Sequence, residues 1–485
     1  MRVCIFVRNT FTVDARVLRQ ARSISAAGHE TLVIAMGSKD LPETEERDGF
    51  RVRRVSPALT WEDGIPRLTK LKRSVVRKQR AEPPRPAEPS TRAATRAGSW
   101  RFTWLLTGAG PPPRSWPNGS KSTLSERATF TAKLVARAPA RRARRATRVA
   151  SRAAKKRSIR AKRKLLRPSR FRQIERRMAR EAVAFKPDVC WSNDTDTLRA
   201  AASAARSTGA RLVYDAHEVM WDVPQLKWNY KLRWSLVERT HIRRAAACST
   251  VCDPIADLMA ERYRIPRPAV ILNTPALAES EHATSPADSP LNAHRRPGEL
   301  IVCYTGNLAP YRGLEELFAA MPHLPANARL VIIGYGFYRD TLERLARDQG
   351  LAERVSILDP VPAQELLHWV AGADVGMVSH LRRGRNQEYV MPNKLFEFMH
   401  LGIPVVANDL PLVTPIVREV GFGEVVDITD APALAHAIAG LLEDPARRAE
   451  MRERALAGAR RYSWENQERT VLDMVEGRPD GHQKL

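Results

Sequence analysis

The stretch NQEYVMPNKLFEFMHLGIPVVA (residues 386–407) restricts the fold more than any other part of the chain. Pro392 disfavours helix at Met391 and suits a helix start, where Asn393 is the expected N-terminal cap. Residues 394–401 then read as a short, mostly apolar helix. Gly402 supplies a left-handed C-terminal cap and Pro404 follows shortly after. Ile403, Val405 and Val406 predict a strand buried on both faces, as in a parallel sheet. Glu397 stands out, a carboxylate among Leu395, Phe396, Phe398 and Met399, and a buried carboxylate needs a partner. A helix start with free N–H groups beside a lysine suits a phosphate, so the stretch points to a nucleotide site. A core helix whose Glu397 leans out to solvent is the bland alternative.

The same alternation recurs along the chain. RVCIFV (residues 2–7) reads as a buried strand, NTFTV as a loop, a helix opening at Asp14 ends at Gly28, and TLVIA (31–35) is a second strand. Strand, helix and strand in this order open a doubly wound parallel sheet. Ligands of such sheets bind beyond the carboxyl ends of the strands, which puts Arg8, Asn9 and Thr10 at the mouth of a site. FRVRRV (50–55) adds a more exposed strand, and the pattern resumes at DVCW (188–191) and RLVY (211–214). Residues 275–297, rich in Ser, Ala, Pro, His and Glu, read as a linker. Beyond it the alternation repeats more cleanly, from the strand at 300–304 to helices at 431–442 and 445–460. Two such sheets predict a deep cleft between them.

Charge is unevenly spread. Residues 67–180 hold 35 Lys and Arg against 4 Asp and Glu; the remaining residues hold 45 basic and 49 acidic side chains, so one insert carries the whole net charge of +27. Long like-charge runs usually stay solvated. The sharper reading is attachment to an anionic membrane, with Trp100, Phe102, Trp104 and Leu105 dipping into its interface. Non-specific nucleic-acid binding ranks below it, because no recognition motif accompanies the charge. Five scattered cysteines (Cys4, Cys190, Cys248, Cys252, Cys303) argue against a disulfide framework and fit a reducing cytoplasm. Neither a secretory leader nor a run of about 18 apolar residues is visible, so neither export nor a transmembrane helix is expected.

Three features gather on the carboxyl edge of the second sheet. GNLAPYRG (306–313) follows a strand and precedes a helix. Its glycines let the backbone approach a ligand, and Arg312 can hold phosphate oxygens in a fork. GYG, with Gly334 and Gly336, also follows a strand. The helix at Asn393 is the third. In the first half, His217 lies just past a strand, where it can polarise a reacting group or be a loop histidine without a role. Asp194 and Asp196 form an Asp-x-Asp at a helix start, where capping outranks metal binding. Nucleophile-elbow, Walker-type and His-Glu-x-x-His motifs do not occur, which weakens hydrolase, ATPase and metalloprotease readings.

Taken together, DARVLRQARSISAAGHETLVIA, RLVYDAHEV, VCYTGNLAPYRGLEEL, LVIIGYG, VPAQELLHWVAGADVGMV and PNKLFEFMHLGIPVVAND resemble retaining glycosyltransferases of family 4, which have the GT-B fold. The resemblance covers about residues 1–60 and 180–475, with the basic insert outside it. It implies two Rossmann-like domains facing a cleft: an acceptor-side domain at 1–274 with the insert at 67–180, a linker at 275–298, a nucleotide-sugar domain at 299–460 and a closing helix at 461–477 that crosses back. It implies sugar transfer from a nucleoside diphosphate sugar without a bound metal or other cofactor. The donor would be held by Gly306, Asn307, Arg312, Gly334, Gly336, Tyr389, Asn393, Lys394, Leu395 and Glu397, with Glu397 on the ribose and the N–H groups of 393–395 on the diphosphate. His217 and Arg312 would serve transfer. Arg8, Asn9, Asp14, Arg16, Asp194 and Glu218 would face the acceptor, a glycan or lipid-linked molecule. Two positions depart from the family. Tyr389 stands where the family has a glutamate eight residues before its ribose Glu, and Asn307 stands where it often has arginine. A cytoplasmic enzyme, peripheral on the inner face of the plasma membrane, is the resulting expectation. An epimerase on the same fold and a non-catalytic scaffold are the rivals.

Overall fold

The computed structural model describes residues 1–56, 170–223, 226–281 and 285–478. Most of the basic insert, including the aromatic patch at 100–104, lies outside them. The first sheet contains β1 (Arg2–Phe6), β2 (Glu30–Met36), β3 (Thr44–Arg47), β4 (Phe50–Val55), β5 (Val189–Asn193), β6 (Arg211–Ala216), β7 (Ala247–Thr250) and β8 (Ala269–Val270). Their order is β3-β4-β2-β1-β5-β6-β7-β8, parallel except for the β3–β4 hairpin. Helices α1 (Ala15–Ala26), α2 (Arg170–Phe185), α3 (Thr195–Thr208), α4 (Trp228–His241) and α5 (Asp253–Tyr263) connect them. The continuous apolar run in β1 needs cover on both faces. Val3 and Ile5 are fully buried with Val33, Trp191 and Val213, and Cys4 and Phe6 are equally buried on the opposite face.

The short helix α6 (Leu277–Glu281) leads to the second half. There Leu291, within the stretch expected to be a linker, is fully buried in the second core. The second sheet holds β9 (Leu300–Asn307), β10 (Ala328–Tyr335), β11 (Val355–Leu358), β12 (Val375–Val378), β13 (Val405–Asn408) and β14 (Gly423–Val426). All its pairings are parallel, in the order β11-β10-β9-β12-β13-β14. Its helices are α7 (Leu314–Ala320), α8 (Arg339–Asp348), α9 (Leu366–Val370), α10 (Arg385–Glu388), α11 (Asn393–His400), α12 (Val413–Val420), α13 (Ala431–Glu443) and α14 (Pro445–Arg461). A last helix, α15 (Glu465–Glu476), returns to the first half and packs on α1. Trp464 donates through Nε1 to Ser23 Oγ at 2.8 Å, and Gln467 Oε1 accepts the Leu272 N–H at 3.0 Å.

Strand order reverses between β1 and β5 in the first sheet and between β9 and β12 in the second. At such a switch the connecting loops part to opposite faces and leave a crevice at the carboxyl edge. Arg8 and Asp194 follow β1 and β5; Gly306 lies at the end of β9, and Arg312 and His380 follow β9 and β12. Of the expected site residues, Arg8, Asp194, Gly306 and Arg312 thus lie at the two switch points.

Candidate active site

In the second half, backbone contact shapes the crevice. A Cβ on Gly313, at φ +71°, would lie 1.9 Å from the Ser379 carbonyl oxygen. A Cβ on Gly334 would lie 1.9 Å from the Gly306 carbonyl oxygen. Gly334 therefore serves the close pairing of β10 with β9, a correction to the expectation that it faces a ligand. The end of β12 grips the 306–313 loop. Ser379 Oγ donates to the Arg312 carbonyl at 2.7 Å, and the Leu381 N–H donates to the Tyr311 carbonyl at 3.1 Å. Arg312 Nη1 donates to Nε2 of the buried His380. Burial, then Arg312 and Lys394, push the His380 imidazole well below its ordinary pKa, so it stays neutral and can accept.

Helix α11 begins at Asn393, with Pro392 in the capping position and no side-chain cap. Asn393 is exposed, one residue inside its expected place. The Leu395 N–H donates to the Pro392 carbonyl at 3.0 Å, so it is already engaged and leaves the expected diphosphate donors. Lys394 is only 6 % exposed, and its ammonium lies 3.3 Å from the centre of the Tyr304 ring. Among the described residues Nζ has no hydrogen-bond partner. It lies 3.7 Å from where a Gly306 Cβ would stand. Burial, then Arg312, push its pKa well below the amine range, and Glu397 only partly opposes this. Glu397 is half-buried and accepts from Thr305 Oγ1 at 3.4 Å. Burial raises its pKa against Arg19 and Lys394. Tyr304 donates to the Asn307 carbonyl at 3.1 Å. Tyr389 is half-buried, and its carbonyl accepts from Cys252 Sγ of the first half at 3.5 Å.

The first half's switch point is different. His217 lies between two carboxylates: Nδ1 is 3.2 Å from Asp194 Oδ2, and Nε2 is 3.1 Å from Asp215 Oδ2. Burial alone would lower the imidazole, but Asp194 and Asp215 outweigh it and push the pKa up to about 10. Asp215 is fully buried and accepts both Arg16 Nε (2.8 Å) and Nη2 (2.7 Å), Gln20 Nε2 (2.7 Å) and Ser249 Oγ (2.9 Å). Although burial opposes ionisation, Arg16 and His217 hold its pKa well below the usual carboxylate range.

Three expectations change here. Arg16, 3 % exposed, is the counter-ion of Asp215 and is withdrawn from any acceptor. Asp194 makes no side-chain cap to α3. Its backbone sits at φ +62°, strain of about 1–3 kcal/mol for a residue with a Cβ, and the carboxylate accepts the His217 N–H at 2.9 Å as well as Nδ1. Asn9 and Asp14 serve the β1–α1 turn: Asp14 accepts the Val17 N–H at 3.1 Å and Asn9 Nδ2 at 2.7 Å. Arg8 stands 4.0 Å from Asp196, and Glu218 is exposed beside His217. Burial and Asp194 push Asp196 up to about 7 despite Arg8.

Sequence reasoning missed Asp215, His380, Ser379, Thr305 and Arg19. Asp215 and Thr305 lie near strand ends, Ser379 and His380 just past one and Arg19 inside α1, but only the fold shows which neighbour each meets. Arg19 reaches Glu279 at 2.6 Å, and both line a cavity of about 340 Å³ between α1 and the start of α9. A second cavity of about 360 Å³, lined by Arg295, Asp374, Arg448 and Arg452, lies away from both switch points. Among the described residues no group of three or more His, Cys, Asp or Glu is placed to share a metal ion.

The family description "Glycosyl transferases group 1" matches residues 291–457, and "Glycosyl transferase 4-like domain" matches 123–274. The chain belongs to the group 1 glycosyltransferases. The second match starts at residue 123, so family likeness reaches into the stretch read as an insert. This glycosyltransferase is 27 % identical over 324 residues to a GDP-mannose-dependent alpha-(1-6)-phosphatidylinositol monomannoside mannosyltransferase of Mycolicibacterium smegmatis, covering 63 % of this chain and 81 % of that protein. It is 32 % identical over 206 residues to a D-inositol 3-phosphate glycosyltransferase of Xylanimonas cellulosilytica, covering 41 % and 45 %. Among solved structures, a sucrose-phosphate synthase from Thermosynechococcus elongatus aligns over 98 % of both chains with a TM-score of 0.65 and 14 % identity. Anabaena HepE with UDP-glucose aligns over 98 % of this chain and 100 % of that one, with a TM-score of 0.61 and 15 % identity. At these identities the structures speak for the GT-B fold alone.

Proposed function

We propose that this glycosyltransferase moves a hexose from a nucleoside diphosphate sugar to a glycan or lipid-linked acceptor, with retention and without a resident metal. The observation that carries this reading is Lys394, a buried ammonium without a hydrogen-bond partner among the described residues, beside Gly306 and Arg312. An unpaired buried cation is costly, and a diphosphate at the carboxyl edge is the partner it lacks. Arg312, held by His380 and Ser379, adds a second fixed cation, and the start of α11 adds backbone N–H groups. Glu397 takes the ribose.

As the sugar–phosphate bond breaks, charge grows on the diphosphate, and these fixed cations stabilise it where a metal would otherwise act. The acceptor hydroxyl bonds to the sugar from the face the diphosphate leaves, and its proton passes to a departing diphosphate oxygen. With both ring nitrogens engaged, His217 has no lone pair with which to act as a base. It offers a fixed positive charge to the donor. The phosphoinositide-mannosylating relative makes GDP-mannose and a membrane lipid the first pair to test. In this reading the basic insert holds the enzyme on the inner face of an anionic membrane.

A thermal-shift panel of nucleotide sugars tests the donor. Stabilisation by one of them is expected, and none by any would sink the reading. Proton NMR of the product anomer tests retention, and undiminished turnover in EDTA tests metal independence.

A further inference from the structure

Helix α4 (Trp228–His241) is apolar on two opposite sides. Its inner side buries Trp234, Val237, Glu238 and His241, and the helix packs on α3. On the other side Trp228, Leu232 and Leu236 are 76, 62 and 64 % exposed. They recur every four residues and form one stripe, which faces away from the buried side. A helix with a single partner carries polar residues there. Isolated exposed apolar side chains are ordinary, but three aligned large ones including a tryptophan make a patch that marks an interaction surface.

The charge of α4 and the turn after it is almost all positive. Residues 227–244 contain Lys227, Lys231, Arg233, Arg239, Arg243 and Arg244, and Glu238 is the only acid. Glu238 is buried and accepts from Tyr214 (2.8 Å) and Tyr263 (2.5 Å), so it cancels nothing at the surface. Tryptophan and leucine on one face with lysine and arginine around them is the composition of a helix lying in a lipid headgroup layer. A protein partner of ordinary composition has no need of uniformly positive flanks. We infer that the outer face of α4 docks on an anionic lipid surface, with Trp228, Leu232 and Leu236 entering the interface and the basic flanks meeting the headgroups.

The topology gives this face a purpose. In a parallel sheet the connecting helix starts at the carboxyl edge, so Trp228 begins the stripe on the edge where His217 follows β6. The inference extends the reading of a membrane-borne acceptor and rests on it for that purpose alone. The stripe is independent of the donor site.

The test is vesicle flotation of the full chain at fixed salt, with phosphatidylcholine alone and with added phosphatidylglycerol. The wild type is expected to float with the anionic vesicles. The triple variant Trp228→Ser/Leu232→Ser/Leu236→Ser should lose at least about tenfold in partitioning. Donor-induced thermal stabilisation should stay unchanged, which separates failure of this inference from failure of the donor reading. Hydrogen exchange on the unaltered protein gives a second readout, in which anionic vesicles should slow exchange across 228–241. Wild-type flotation by the triple variant would overturn the inference, placing membrane binding in the basic insert alone. So would lipid-free self-association that the triple variant abolishes, because the face would then be a protein interface.

Discussion

The two switch points carry comparable numbers of ionisable groups but opposite electrostatic states. In the first half Asp215, Arg16, His217 and Asp194 form a closed set, and each charge meets its counter-charge at 3.2 Å or less. In the second half, among the described residues, Lys394 has no hydrogen-bond partner, Arg312 rests on a neutral histidine, and Glu397 accepts only at 3.4 Å from Thr305. A closed set holds a geometry. An open, cationic one awaits an anion. The proposed function accordingly puts the donor diphosphate at the second half and the positioning of the sugar at the first.

The sharpest way to break this comparison is Asp215→Asn. It leaves Arg16 and His217 buried against a neutral amide, and a loss of about 3–5 kcal/mol is expected in chemical denaturation. A change below about 1 kcal/mol would show that the set is not closed. Next comes Lys394→Met. It should lower kcat about 10²–10³-fold, as loss of one transition-state charge partner does, and abolish donor-induced stabilisation. The ligand-free protein should nonetheless melt at a higher temperature, because an unpaired buried ammonium is gone. A lower melting temperature would mean that Lys394 already has its partner.

His380→Leu removes the acceptor that holds Arg312. A fall in kcat/KM of about tenfold to a hundredfold is expected, from the worth of a hydrogen bond to a charged group, with recovery in His380→Gln. Equal loss in both variants would make His380 a packing residue. The smallest effect is a difference in the sign of pH dependence. The folded-state pKa of His217 is raised to about 10 from 6.5, so its stabilisation is complete below about pH 6.5 and lost as pH rises towards 10. Lys394 is depressed below its unfolded value, so its burden on the fold lifts as pH rises through the depressed pKa. Melting curves of His217→Gln should lose the first slope, and those of Lys394→Met the second.

Much of the fold was legible because strand and helix periods are local. The run VCIFV, the caps at Asp14 and Gly402, and the loop 306–313 each announce an element within a few residues. Lys394 and Glu397 could be singled out because charge inside an apolar helix is a local contradiction. The roles of Arg16 and Asp194 could not be read, since their partners are distant in sequence: Arg16 meets Asp215, and Asp194 meets His217. His380 gave no signal, because a histidine after a strand is ordinary until β12 lies beside β9.

The sequence by itself determined that this chain builds two helix-covered parallel sheets with a phosphate-friendly edge on the second. Periodicity, capping and loop chemistry act between near neighbours, so they can be read in order. Only the tertiary structure decided which charges are compensated and which are left open. Compensation depends on approach within a few ångströms across the switch points, between residues that the chain keeps far apart.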